Sequence, residues 1–193
     1  MNEAQATALF DILYVDPPWR YAARNNTSTK FGGGAMAHYP TMTTDELIEL
    51  GAAAGSLAAD NSLCFMWATG PKIPDALRVM NAWGFKFATV GFVWIKLTKL
   101  LKIFAGPGNY TGANAEFVLV GRRGSMLQIA KRLVPSVVMS IRERHSQKPE
   151  EVAARIDLMY PDARKLEMFA RRADRPGWWF HGFEIGDGVR LAA

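Results

Sequence analysis

The sequence predicts an α/β fold built on a mostly parallel, doubly wound sheet. Three observations carry that prediction. Short apolar runs rich in branched and aromatic residues, at 12–15, 62–68, 87–95 and 114–120, read as strands buried on both faces. Stretches of helical periodicity alternate with them. The first run stops abruptly at Asp16, followed by Pro17 and Pro18, which cannot donate ladder hydrogen bonds. An acid at the carboxyl end of a buried strand lies where open α/β sheets bind ligands.

The remaining elements follow in order. Residues 20–40 lack periodicity and hold Gly32, Gly33 and Gly34; a loop this long reads as a lid over the first strand's end. It is not a phosphate-binding loop, because no strand precedes the glycines and no Gly-Lys-Ser/Thr follows. Thr43 with Glu46 fits a capping box, and Leu47, Leu50, Ala54 and Leu57 extend one helix to about Ala59. A strand over 62–68 is broken by Thr69-Gly70-Pro71, and a helix over 72–83 stops at Gly84. A strand over 87–95 ends at Lys96. Turn-rich residues 97–113 lead to a strand over 114–120, ended by Gly121-Arg122-Arg123-Gly124. Residues 126–132 read as a short helix and 137–139 as a short strand. Pro149 opens a helix at its first turn, where proline is tolerated, with Val152, Ile156 and Met159 inward. Strands over 165–169 and 178–180 follow, and the tail 186–193 reads as frayed. With no repeat, low-complexity stretch or linker, one domain over 1–193 accounts for the chain.

Composition narrows the class. The chain has 193 residues, of which 49 % are hydrophobic, which excludes a disordered chain. No apolar run approaches the ~18 residues of a membrane span, and the N-terminus lacks a basic, cleavable leader pattern. Cys64 is the only cysteine, so no internal disulfide forms. These features predict a cytoplasmic protein with no membrane association. Charge is unevenly spread: residues 1–95 hold 6 basic and 8 acidic residues, 96–148 hold 10 and 2, and 149–193 hold 7 and 8. The basic middle third, with Lys96, Arg122 and Arg123 and the aromatics Phe104 and Tyr110, predicts a face for nucleic acid. The alternative is an ordinary solvated surface. The three histidines, His38, His145 and His181, have no ligand-like spacing, so no metal site is assigned.

Asp16-Pro17-Pro18-Trp19 (DPPW) resembles the catalytic motif of enzymes that methylate exocyclic amines of nucleobases. Further stretches extend the likeness: HYPTMTTDEL at 38–47, LCFMWAT at 63–69, VWIKL at 93–97, NAEFVLVGRRG at 114–124, HSQKPEEV at 145–152 and RKLEMFAR at 164–171. Together they resemble the adenine N-6 methyltransferase family that includes the catalytic subunit of the eukaryotic messenger-RNA adenine methyltransferase. The resemblance spans nearly the whole chain and implies a permuted Rossmann-like fold with the catalytic motif early and the S-adenosylmethionine (SAM) loop late. The absence of any G-x-G-x-x-G is consistent with that order. The family pattern implies that Lys148 contacts the methionine part of SAM. It also implies that residues from Arg171 to Asp174, with Phe183 and Glu184, hold ribose and adenine. Here the chain departs from the eukaryotic pattern, which has a His-Asn and an Asn-Gln pair where this sequence has Ala173-Asp174 and Phe183-Glu184. An acid suits the ribose hydroxyls, so Asp174 and Glu184 are both candidates.

The chemistry fits the motif. An exocyclic amine is a poor nucleophile because its lone pair is delocalised into the ring. Acceptors at both amine hydrogens, the Asp16 carboxylate and the Pro17 carbonyl, free that pair. Trp19 and Tyr21 are candidates to stack on the base, and His38 and Tyr39 on the loop are candidates for substrate contact. DNA is favoured over RNA because the chain is compact and carries no accessory RNA-binding module. An inactive nucleic-acid-binding subunit is the alternative, but such a subunit characteristically lacks the catalytic tetrapeptide. Cytosine N-4 enzymes typically carry Ser-Pro-Pro-Tyr instead. Homodimer and pairing with a second subunit both stay open.

Overall fold

A computed structural model describes residues 9–21, 40–108, 110–142 and 147–182. The lid stretch with its glycines, His38 and Tyr39, the pair His145-Ser146, Phe183 and Glu184, and the tail lie outside the described residues.

Strand β1 (Phe10–Val15) lies near the middle of a seven-stranded sheet. The other elements are α1 (Thr44–Glu49), α2 (Gly51–Leu57), β2 (Ala58–Thr69), α3 (Ile73–Ala82), β3 (Lys86–Leu97), β4 (Ala115–Arg123), β5 (Val137–Ile141), α4 (Glu150–Met159), β6 (Lys165–Met168) and β7 (Trp178–His181). The sheet order is β5-β3-β4-β2-β1-β6-β7. Strand β4 runs antiparallel to both its neighbours, β2 and β3, and every other pairing is parallel. The sheet is therefore mostly parallel, as the continuous apolar runs predict.

Those runs are continuous because both faces are covered. Leu13 and Val15 of β1 point to the layer of α1, α2 and α3, where they join Leu47, Ala54, Val79 and Met80. Ile12 and Tyr14 point to the α4 layer and join Val152, Ala153 and Ile156. Alternate side chains of one strand thus enter two cores. Cys64 is buried in the first of these. Strand β1 pairs β2 on one side and β6 on the other, so the chain changes direction across the sheet at β1. A crevice opens at such a switch point, beyond the carboxyl ends of the strands.

Several sequence expectations need correction. The helix expected over 43–59 is two helices that break at Leu50. At the break, Gly51 passes so close to α3 that an added Cβ would lie 2.9 Å from the Ala82 carbonyl oxygen. The capping box does form, with Glu46 N–H donating to Thr43 Oγ1 at 3.1 Å and Thr43 N–H donating to Glu46 Oε2 at 2.6 Å. Strand β4 continues through Gly121 to Arg123, because a bare glycine lets the strand slide under the Met80 side chain. Residues 126–132 form no helix. So short a helix is marginal without strong packing, and the Ala130 N–H instead donates to the Met159 carbonyl at the end of α4. Pro149 is the residue before α4 rather than its first turn. No helix among the described residues is long and apolar enough to cross a membrane.

Candidate active site

The DPPW turn is fixed from both sides. The Pro17 carbonyl accepts from the Trp19 N–H at 2.8 Å, and the Pro18 carbonyl accepts from the Met42 N–H at 2.8 Å. Trp19 is only 5 % exposed and packs in the α1–α3 core, where its Nε1 donates to the Trp67 carbonyl at 3.2 Å. The structure thus corrects one expectation: Trp19 anchors the turn and does not offer a face to a base. Tyr21 does offer one. Its ring is 41 % exposed, and its hydroxyl is 2.8 Å from Thr69 Oγ1. The Lys72 ammonium lies 5.7 Å from the Trp19 ring and 5.4 Å from the Tyr21 ring, within cation–π range of both.

With the turn fixed, Asp16 stands at the mouth of the crevice with 29 % of its side chain open. The segment leading into α4 brings Lys148 onto it, with Nζ 2.7 Å from Oδ1 and 2.8 Å from Oδ2. Lys148 also lies 3.5 Å from Glu116 Oε2, and Lys96 Nζ lies 2.5 Å from Glu116 Oε1. Charges therefore alternate along a row, Asp16, Lys148, Glu116, Lys96, drawn from four parts of the chain. The row rests on an aromatic floor. Lys148 Nζ is 5.4 Å from the Trp67 ring and Lys96 Nζ is 5.1 Å from the Trp94 ring. Below, Trp67 Nε1 donates to the Tyr14 hydroxyl at 2.8 Å, and Trp67 packs edge-on against Trp94 at 6.2 Å.

Burial raises the Asp16 carboxyl above its ordinary pKa, and the touching Lys148 ammonium pulls it back only in part; Glu116 adds to the rise. Burial opposes ionisation of Glu116 as well, but Lys148 and Lys96 together outweigh it and hold that carboxyl below its ordinary range. Glu116 is thus the fixed anion of the row, and Asp16 is the adjustable one.

On the β6 side, Glu167 accepts from Arg175 at 2.5 Å, and burial raises its carboxyl pKa despite that partner. Arg175 also bonds Glu150 at 2.7 Å. Arg172 pairs with Glu150 and lies 3.6 Å from Asp174 Oδ2. Arg171, Asp174 and Lys148 therefore gather at the same end of the sheet as Asp16, and the charge of Arg171 is felt at Asp16. The donor set fits SAM: an ammonium for its carboxylate, and acids near the β6 end for its ribose hydroxyls. Lys148 has three N–H donors, so it can serve Asp16 and a second anion together.

The sequence reading missed Glu116 and Glu167. The signal was present: each is a lone acid inside a short buried strand, NAEFVLV and KLEMF, where an unpaired charge is costly. It placed two others wrongly. Arg122 sits opposite Leu63, whereas Asp16 is level with Trp67, so Arg122 lies roughly 13 Å further down the sheet. Arg123 points to the other face. Its guanidinium donates to the carbonyls of Gly55 at 2.7 Å, Trp83 at 2.5 Å, Ala58 at 3.3 Å and Gly84 at 3.5 Å. It is a clamp on the α2 and α3 ends, not a phosphate contact. Lys96 does reach the site, but as a partner of Glu116. Among the described residues no His, Cys, Asp and Glu cluster has the form of a metal site.

Comparison with known proteins identifies the family. A 192-residue alignment with the type II methyltransferase M.MunI of a Mycoplasma species is 34 % identical, covering 92 % of this chain and 78 % of that protein. The Drosophila melanogaster N(6)-adenosine-methyltransferase MT-A70-like protein is 28 % identical over 94 % of this chain and 28 % of its own length. The human N(6)-adenosine-methyltransferase catalytic subunit METTL3 is 26 % identical over 94 % of this chain and 29 % of its own length. The chain thus spans under a third of these longer relatives. The MT-A70 family pattern matches residues 10–184, from the first residue of β1 past β7, and the chain belongs to the MT-A70 family of methyltransferases.

Proposed function

We propose that this methyltransferase moves a methyl group from SAM to the N-6 amine of adenine in DNA. The observation that carries this reading is the Asp16 carboxylate at the end of β1, held on both oxygens by Lys148 above an aromatic floor. Bound SAM supplies an electrophilic methyl on a positive sulfur. The chain's own residues do the rest. Asp16 accepts one amine hydrogen. The Pro17 carbonyl already accepts from Trp19 N–H and has a second lone pair for the other. Both acceptors localise the nitrogen lone pair, and Asp16 stabilises the cation that develops on transfer. Tyr21 offers the exposed ring for the base, and the Lys148 ammonium, shared with Asp16 and Glu116, supplies the positive charge for the cofactor carboxylate. No covalent enzyme intermediate is required.

The electrostatics give a pH prediction. Asp16 works as an acceptor only when ionised, and its raised pKa means that activity falls as pH drops through a value above the ordinary carboxylate range. Lys148→Met removes the main influence lowering that pKa. At saturating SAM, the acid limb of kcat should therefore move to higher pH than in wild type. A limb that stays in place contradicts the Lys148–Asp16 coupling.

DNA is favoured by the higher identity to the type II methyltransferase M.MunI, 34 % over 92 % of this chain, than to the N(6)-adenosine-methyltransferase METTL3, 26 % over 94 %. The basic surface at the active end is formed by Lys99 and Lys102, both exposed, and by Arg142, whose guanidinium lies 4.4 Å from the Phe104 ring. Lys99→Glu with Lys102→Glu should flatten the log–log salt dependence of duplex binding by about 0.9 per lost phosphate contact. Superimposable salt titrations would remove these lysines from the interface. The reading as a whole is tested with labelled SAM on a duplex and an RNA of matched sequence. Faster transfer to the duplex supports it, and faster transfer to RNA makes RNA the substrate.

A further inference from the structure

At the other end of the sheet a groove of about 520 Å³ opens on the α4 face. Its size falls within the roughly 300–1,000 Å³ of small-molecule sites. The floor is apolar and partly aromatic, with Phe65, Phe92 and Val120. Phe65 and Phe92 stack with centroids 6.3 Å apart. Tyr160, just after α4, closes one end.

The groove exists because two elements of an ordinary α/β layer are missing above it. Residues 126–132 form no helix, so only a loop, through Met126, Ile129 and Val134, supplies the far wall. Strand β5 pairs β3 only from Val93 onward, which leaves the first half of β3 without an outer neighbour. Two bulges there, between Phe87 and Thr89 and between Val90 and Phe92, bend β3 over β4.

The mouth carries a charge problem. Lys86 and Arg122 are direct cross-strand partners, both are exposed, and both border the groove. Like charges placed opposite one another destabilise a sheet. Among the described residues neither makes an ion pair or a side-chain hydrogen bond. An apolar trough ending in two unneutralised cations matches a ligand with an apolar body and one anionic head. A nucleic-acid backbone satisfies the cations but leaves the trough empty.

We infer that this groove binds a small acyl carboxylate, its chain against Phe65, Phe92 and Val120 and its head between Lys86 and Arg122. The site is separate from Asp16, and its failure leaves the methyl-transfer reading intact, because the test reads binding alone.

Decanoate, decanol and inorganic phosphate are titrated into the full chain by calorimetry and thermal unfolding. Wild type is compared with the Lys86→Gln/Arg122→Gln variant, whose fold is checked by circular dichroism. Decanoate should bind once per chain and raise Tm, and decanol should bind about tenfold or more weaker, the scale of a lost charge-assisted hydrogen bond. The double variant should lose about tenfold or more in decanoate affinity with decanol unchanged, and phosphate alone should not bind. Equal affinity for decanoate and decanol, or full decanoate affinity in the variant, would overturn the inference. A variant that loses duplex binding, from a wild type indifferent to decanoate, would assign the cations to nucleic acid and equally overturn it.

Discussion

Replacing Asp16 with Ala is expected to lower methyl transfer about a hundredfold or more, the scale of deleting one preorganised electrostatic group. SAM affinity should stay within a fewfold, because Asp16 faces the amine rather than the cofactor. The fold should survive. The turn is held by the Pro17 and Pro18 carbonyls and the Trp19 indole, none of which uses the carboxylate. Lys148 keeps Glu116 as its partner. Asp16→Asn sharpens the result, since it retains shape and one acceptor oxygen but loses the charge. If charge stabilisation dominates, Asn should be nearly as inactive as Ala. Single-turnover assays with saturating SAM, alongside calorimetry, separate the two losses. Wild-type turnover in a folded Asp16→Ala protein would remove the residue from the chemistry.

The second large effect is on stability. Arg123→Ala should cost about 3 kcal/mol, the upper end for hydrogen bonds to a charged group. It withdraws donors from the carbonyls of Gly55, Ala58, Trp83 and Gly84 at once. It also removes a guanidinium 4.8 Å from the Phe85 ring. For a chain of this length the loss corresponds to a fall in Tm of roughly 6 to 12 °C. Arg122→Ala, one residue away and with the same change in charge, should move stability by about 0.5 kcal/mol or less, as exposed substitutions do. Thermal and urea unfolding of the two variants side by side decides it. Equal losses would mean that the clamp contributes nothing and that net charge alone matters.

That contrast also shows what a sequence can and cannot convey. Arg122 and Arg123 look identical as a basic pair at a strand end. A strand sends successive side chains to opposite faces, so one borders a groove and the other enters a cage of carbonyls. The cage depends on where α2 and α3 end, which no local pattern states. Asp16 was legible because its signal is local, an apolar strand stopped by two prolines at the end where such sheets bind ligands. The capping box at Thr43 was legible for the same reason. Trp19 was not: a tryptophan beside a candidate catalytic acid invites a stacking role, and only the packing of Leu47, Met66 and Trp19 into one core shows that it is an anchor. Glu116 sits exactly one hundred residues from Asp16 in sequence, yet Lys148 joins the two through a register set by β2 between them. Long-range register of this kind is what the sequence leaves unstated.

The most direct test of the central claim asks which atom receives the methyl group. Wild-type protein is incubated with isotopically labelled SAM and duplex DNA. The DNA is then digested and its nucleosides are resolved by mass spectrometry. The geometry at Asp16 predicts the label in N-6-methyldeoxyadenosine and none in cytidine, and a duplex with every adenine replaced by purine, which lacks the amine, should take up no label. Label in methylated cytidine, or undiminished uptake by the purine duplex, would contradict the assignment of Asp16 and the Pro17 carbonyl as the two acceptors of an adenine amine.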